Sequence, residues 1–81
     1  MINVLFFASL RERLATERLQ EPFVPDLTVA ALRSRLASRG SVWETALSGR
    51  LLVAVNQDIV SDSQLLRDGD EVAFFPPVTG G

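Results

Sequence analysis

The chain has 81 residues, 47% hydrophobic and 22% charged, with a net charge of −2, a make-up that predicts one soluble globular domain with a modest core. It contains no cysteine, histidine or lysine, which excludes disulfides, thiolate metal sites, imidazole bases, Schiff-base chemistry and isopeptide bonds to its own side chains. An acidic balance with a pI near 4.9 argues against nucleic acid as a partner, and without a basic leader or a long apolar run the expectation is a cytoplasmic protein that does not enter a membrane.

Residues 2–8, INVLFFA, are β-branched and aromatic with no breaker, and predict a buried strand. Ser9 is a candidate cap for one or two helical turns in the segment that follows. Arg18 to Val24 reads as a strand at a sheet edge, because Pro22 has no N–H to donate to a ladder. The segment PDLTVAALRSRLASRG carries the strongest helix signal: Thr28 can cap, Val29, Leu32 and Leu36 recur at helical spacing, and Gly40 stands where a helix often ends. A shorter helix is expected over SVWETALS, closed by Gly49. RLLVAVN then predicts a strand buried on both faces, Asn56 and Gln57 a tight reversal into the short strand DIV, and SDSQLLRDGD a polar loop anchored by Leu65 and Leu66. Residues 71–75, EVAFF, form the last strand, stopped by Pro76 and Pro77. The order strand, strand, helix, strand, short strand, strand is that of an α+β domain, a mixed sheet around one main helix, occupying residues 1–81 with an extended tail over 75–81.

Alternation along the strands has a consequence for binding. If Ile2, Val4, Phe6, Val72 and Phe74 face the helix, then Leu5, Phe7, Ala73 and Phe75 face the other way. One helix covers one face, so the second face is left apolar, unless the short helix at 41–48 or a loop folds over it. An uncovered patch of that kind marks a partner site, with Phe7 and Phe75 as anchors.

Reactive groups are scarce. There is no phosphate-binding loop, no metal-ligand spacing and no catalytic triad. The carboxylates Asp58 and Asp62, or Asp68, Asp70 and Glu71, fit turns better than acid–base catalysis, since turns use Asp for their own hydrogen bonds. The remaining distinctive group is the α-carboxylate after Pro76-Pro77-Val78-Thr79-Gly80-Gly81. Six residues extend roughly 20 Å at about 3.3 Å each, enough to enter a partner's cleft. The prolines would stiffen the exit of such an arm, and the glycines carry no side chain to obstruct it.

The segments MINVLFFASLRE, LLVAVNQDIV and LRDGDEVAFFPPVTGG closely resemble the small subunits of molybdopterin synthases, in register over the whole chain, whereas residues 16–49 are only generically similar. The resemblance implies a ubiquitin-like β-grasp fold and a sulfur carrier with no catalytic pocket of its own. It implies that Gly81 is adenylated with ATP by an activating enzyme and converted to a thiocarboxylate by a sulfur donor system. The sulfur would then pass to cyclic pyranopterin monophosphate inside a large subunit, in a complex of two small and two large subunits, building the molybdopterin dithiolene. No cofactor or metal would be bound by the carrier itself. Residues 76–80 would be the inserted arm, Phe7, Phe75, Leu5 and Ile59 would meet the large subunit, and Arg11 would make a polar contact at the rim. Three other readings stay open on the sequence: a sulfur carrier for thiamine thiazole synthesis, whose members end in Gly-Gly but are shorter; a protein modifier joined through Gly81 to lysines of other proteins; and an interaction module whose tail is idle.

Overall fold

The architecture follows from where the apolar strand positions can be buried. In a computed structural model, which describes residues 1–77, Ile2, Val4 and Phe6 of one strand and Val72 and Phe74 of another are at most 1% exposed. They lie on β1 (Ile2–Phe6) and β5 (Glu71–Phe75), which pair in parallel at the centre of the sheet. On one side β2 (Arg18–Glu21) adds to β1 antiparallel; on the other β3 (Leu52–Val55) adds to β5 and β4 (Asp58–Val60) to β3, giving the order β2-β1-β5-β3-β4. The second strand is thus at an edge, as Pro22 requires, although it ends at Glu21 rather than continuing to Val24.

Three helices supply the other half of the core: α1 (Ala8–Leu14), α2 (Val29–Ala37) and α3 (Ser41–Leu47). Leu10 and Leu14 from α1, Val29, Leu32 and Leu36 from α2, and Ala46 and Leu47 from α3 join the inward strand residues in a single buried cluster. Each large side chain buried in this way contributes about 1.5–3 kcal/mol. Phe6 lies at the centre, stacked on Phe74 at 6.1 Å and met edge-on by Trp43 of α3 at 5.6 Å. The short helix at 41–47 therefore covers the inner face of the sheet, and the outer face stays open.

The first turn of α2 accounts for its own donors. Thr28 caps through its hydroxyl, which accepts from the Ala31 N–H at 3.1 Å, while the Val29 and Ala30 N–H groups donate to the carbonyls of Gln64 and Asp62. The 61–67 loop is thus tied to the helix start, and Leu66 is its buried anchor; Leu65, expected to share that role, is 57% exposed.

Two helix boundaries differ from the sequence reading. Phe7, not Ser9, is the residue before α1, because its carbonyl accepts from the Arg11 N–H and no side chain caps the helix. Gly40 opens α3 instead of closing α2: its carbonyl accepts from the Glu44 N–H, and α2 is closed earlier, where the Ser38 hydroxyl donates to the Arg35 carbonyl. At the Asn56–Gln57 reversal both residues have positive φ, 50° and 74°, the twist that a two-residue hairpin needs. Phe75, grouped with the tail in the sequence reading, is the last residue of β5 and pairs with Leu52.

Candidate functional site: an apolar sheet face at the root of the tail

Directly opposed residues in a sheet share a face, so register defines the outer surface. One row crosses it as Arg18, Leu5, Ala73, Ala54 and Ile59, from β2 to β4. Ala73 and Ala54 are 9% and 8% exposed yet stand apart from the helix-side cluster, since their small side chains sit low between larger neighbours. A second row brings Phe75 against Leu52, and the parallel register of β1 and β5 carries Phe7 alongside Phe75. Phe7 is 47% exposed and Ile59 63%; Leu5, Leu52 and Phe75 are half-buried. The row at the far end is polar, with Gln20 donating to Asn3 at 2.9 Å and Glu71 beside Asn3. Apolar character thus increases toward the end of the sheet from which Pro76 and Pro77 leave.

This arrangement brings together Leu5, Phe7, Phe75 and Ile59 of the expected docking residues on one continuous face. Ala73, placed among them by alternation, is on the correct face but nearly covered. Arg11 is exposed on α1, one turn beyond Phe7, and its side chain has no partner among the described residues. Pro76 and Pro77 are half-buried, and Pro77 lines a groove of about 420 Å³ together with Arg33, Arg50, Leu52 and Asp62. Val78, Thr79, Gly80 and Gly81 lie outside the described residues.

Three of the carboxylates weighed for acid–base work, Asp62, Asp68 and Asp70, are used in structural hydrogen bonds or ion pairs. Asp70 accepts from the Arg67 N–H at 2.8 Å and from the Asn56 amide at 2.9 Å, fixing the turn before β5, and Asp62 pairs with Arg33 at 3.4 Å. Arg33 also donates to the carbonyls of Leu47 and Gly49, clamping the end of α3 to α2. Among the described residues no group of three acidic side chains is placed to hold a metal ion, and no helix is long and apolar enough to cross a membrane. One polar cluster escaped the sequence reading: Glu21, 8% exposed, is held by Arg35 at 3.3 Å and by Arg39 at 2.6 Å, and the Arg39 guanidinium lies 5.1 Å from the centre of the Trp43 ring. An edge-strand Glu followed by Pro gave no signal of burial, because its partners come from α2 and the turn after it.

Comparison with known proteins fits this geometry. The chain is 54% identical over 82 residues to the molybdopterin synthase sulfur carrier subunit of Escherichia coli strain K12, with all of both chains covered. Among solved structures it is similar to SAMP1 from Haloferax volcanii, with a TM-score of 0.85 at 25% identity over 99% of this chain and 98% of that one. It is similar as well to a chain in the complex of subunits 1 and 2 of the molybdopterin-converting factor from Helicobacter pylori 26695, with a TM-score of 0.65 at 26% identity over 99% and 97% of the two chains. The fold is the ubiquitin-like β-grasp that the resemblance implied. With the family model matching residues 4–81, from the middle of β1 to the last residue, the chain belongs to the ThiS family.

Proposed function

We propose that this chain is the sulfur carrier subunit of a molybdopterin synthase. The observation that carries the reading is the full-length identity of 54% to a protein of that name, on a fold whose open apolar face adjoins the root of a Gly-Gly tail. A carboxylate is a poor electrophile until one oxygen becomes a good leaving group. In the proposed cycle the Gly81 carboxylate attacks the α-phosphate of ATP in an activating enzyme, releasing pyrophosphate. A sulfur nucleophile from a donor system then displaces AMP and leaves a thiocarboxylate. The sulfurated arm, residues 76–81, enters the large subunit and gives its sulfur to cyclic pyranopterin monophosphate, and hydrolysis returns the Gly81 carboxylate. Two carriers and two large subunits make up the synthase. ATP belongs to the activating enzyme, and the carrier holds no cofactor or metal.

Leu5, Phe7, Phe75 and Ile59 are the docking surface for the large subunit, and Arg11 borders it. Covering the exposed half of Phe7 on docking supplies about 1 kcal/mol, and the smaller exposed part of Phe75 less, which together help to anchor a partner beside the arm. With no lysine or histidine in this chain, any lysine or histidine base for sulfur transfer comes from the partner.

A second reading, that of a protein modifier, has one observation in its favour: the TM-score of 0.85 at 25% identity to SAMP1 from Haloferax volcanii, alongside a likeness in fold, at a TM-score of 0.82, to H. volcanii small archaeal modifier protein 1. Intact-mass spectrometry separates the two. After expression with its activating enzyme and a sulfur source, a carrier gains about 16 Da as oxygen is replaced by sulfur at Gly81. Recovery of the chain solely as adducts joined through Gly81 to lysines of other proteins would overturn the carrier reading.

A further inference from the structure

Of the eight arginines, three are tied into the fold, and two of the others lie beside the sheet's outer face away from α1. Arg33, Arg35 and Arg39 are consumed on the helix side of the sheet by Asp62, Glu21 and backbone carbonyls. Arg18 and Arg50, by contrast, are exposed and have no side-chain partner among the described residues, and both border the apolar face. Arg18 opposes Leu5 across the β1–β2 pair and lines a depression of about 340 Å³ with Leu5, Gln20 and Glu71, without an ion pair to Glu71. Arg50 lies at the other end, lining the groove that also holds Leu52 and Pro77. In that groove Asp62 is engaged by Arg33, and Arg50 has no ion pair among the described residues. A protein of net charge −2 therefore presents positive charge at two points around its apolar face, in addition to Arg11 at the rim beside Phe7.

We infer that Arg18 and Arg50 are the orienting contacts of the docking surface, and that the surface they fit is an apolar patch of the large subunit bordered by carboxylates at two matching points. This deepens the proposed function and rests on it. Two charge contacts far apart on one face fix rotation, which an apolar patch leaves loose; Arg50, beside Pro77, fixes the end of the sheet from which the arm must enter the partner. Charges at a rim act chiefly on the association rate and are weakened by salt. The guanidinium group suits the role because it is always charged and can engage a carboxylate through two parallel hydrogen bonds.

The test is calorimetric titration of the full chain into the cognate large subunit at about 0.05 M and about 0.3 M salt, where screening differs strongly. Arg18→Glu and Arg50→Glu are each expected to weaken binding about 10-fold or more at low salt, with the loss shrinking at high salt. Arg18→Gln and Arg50→Gln, which remove charge without adding its opposite, should fall between the Glu variants and wild type. Arg67→Glu, at the opposite end of β5 from the arm, serves as the control and should bind as wild type does. Charge-reversed proteins that keep wild-type affinity and salt dependence, while wild type binds and accepts sulfur normally, overturn the inference and leave the carrier reading standing. Failure of wild type itself to bind the large subunit overturns both. Should a Glu variant prove unfolded by circular dichroism, the Gln variant at the same position decides: wild-type affinity at low salt refutes the orienting role, and a salt-sensitive loss supports it.

Discussion

The carboxylate of Glu21 meets two guanidinium groups while its side chain is 10% exposed, and the identities of its neighbours explain how a charge is tolerated there. Arg35 and Arg39 compensate it, their own side chains remain 35% and 41% exposed, and Arg39 rests over Trp43, which in turn meets Phe6. The cluster thus links the edge strand β2 to the centre of the core through four side chains. Its energetic value lies between two limits. Breaking a fully buried pair costs about 3–5 kcal/mol, because the remaining charge is stranded; an exposed pair is worth about 0–1 kcal/mol. Here the stranded partners would be arginines with access to water, so Glu21→Ala is expected to cost about 1–2 kcal/mol. Urea unfolding followed by the fluorescence of Trp43 measures this, and an unchanged midpoint would show that the two ion pairs contribute nothing to the fold. Leu5, Phe7, Phe75 and Ile59 contrast with Glu21: they are apolar groups left partly in water, which becomes favourable when a partner covers them.

Among the elements, the β3–β4 hairpin shows most directly how local chemistry sets geometry. Asn56 supports its own positive φ with side-chain bonds, donating to Asp70 and accepting from the Glu71 N–H at 3.1 Å. Gln57, at φ 74°, is engaged in no side-chain hydrogen bond among the described residues. A left-handed L-residue costs about 1–2 kcal/mol, whereas glycine loses about 0.5–1 kcal/mol more backbone entropy on folding. The strain term is the larger, so Gln57→Gly is expected to raise stability by about 0.5 kcal/mol, seen as a higher melting temperature; a lower one would mean that the turn is not strained. The same distinction between local and distant causes explains what the sequence disclosed. The alternation of Ile2, Val4 and Phe6 against Leu5 and Phe7, the Thr28 cap and the Asn56–Gln57 reversal were legible because each depends on residues next to one another. The beginning of α1 at Ala8 and the use of Gly40 to open α3 were not, since backbone carbonyls of Phe7 and Gly40 do the work that side-chain signals suggested for Ser9 and for a helix end. The apolar outer face was half legible: alternation named its residues, but their assembly depends on the parallel pairing of β1 with β5, which joins opposite ends of the chain. The orienting arginines gave no local signal at all, because what distinguishes Arg18 and Arg50 from Arg35 and Arg39 is the position of acids elsewhere in the fold.

At the scale of the whole molecule, stability and chemistry are divided between separate parts of one chain. The buried cluster runs from Ile2 to Phe74 and includes side chains from all three helices and from the three inner strands β1, β5 and β3, with Leu19 and Val60 packed against it at the two sheet edges. Among the described residues no member of it comes from beyond β5, whose last residue is Phe75. The proposed reaction, by contrast, takes place at Gly81. A division of this kind would allow the proposed cycle to present the terminus to an activating enzyme and then to a large subunit without altering the core. It also makes a strong claim about deletion. Removing Gly81 takes away the carboxylate proposed to be adenylated and shortens the arm by about 3.3 Å, while leaving every buried contact described above in place. The expected result is an unchanged melting temperature, retained binding to the large subunit through the Phe7 and Phe75 face, and loss of both the thiocarboxylate mass shift and sulfur transfer. Thermal unfolding, calorimetry and intact-mass spectrometry on the same preparation read the three quantities independently. A large fall in melting temperature would place the terminus in the core and contradict the division. Sulfur transfer by the shortened chain would move the reacting group away from Gly81.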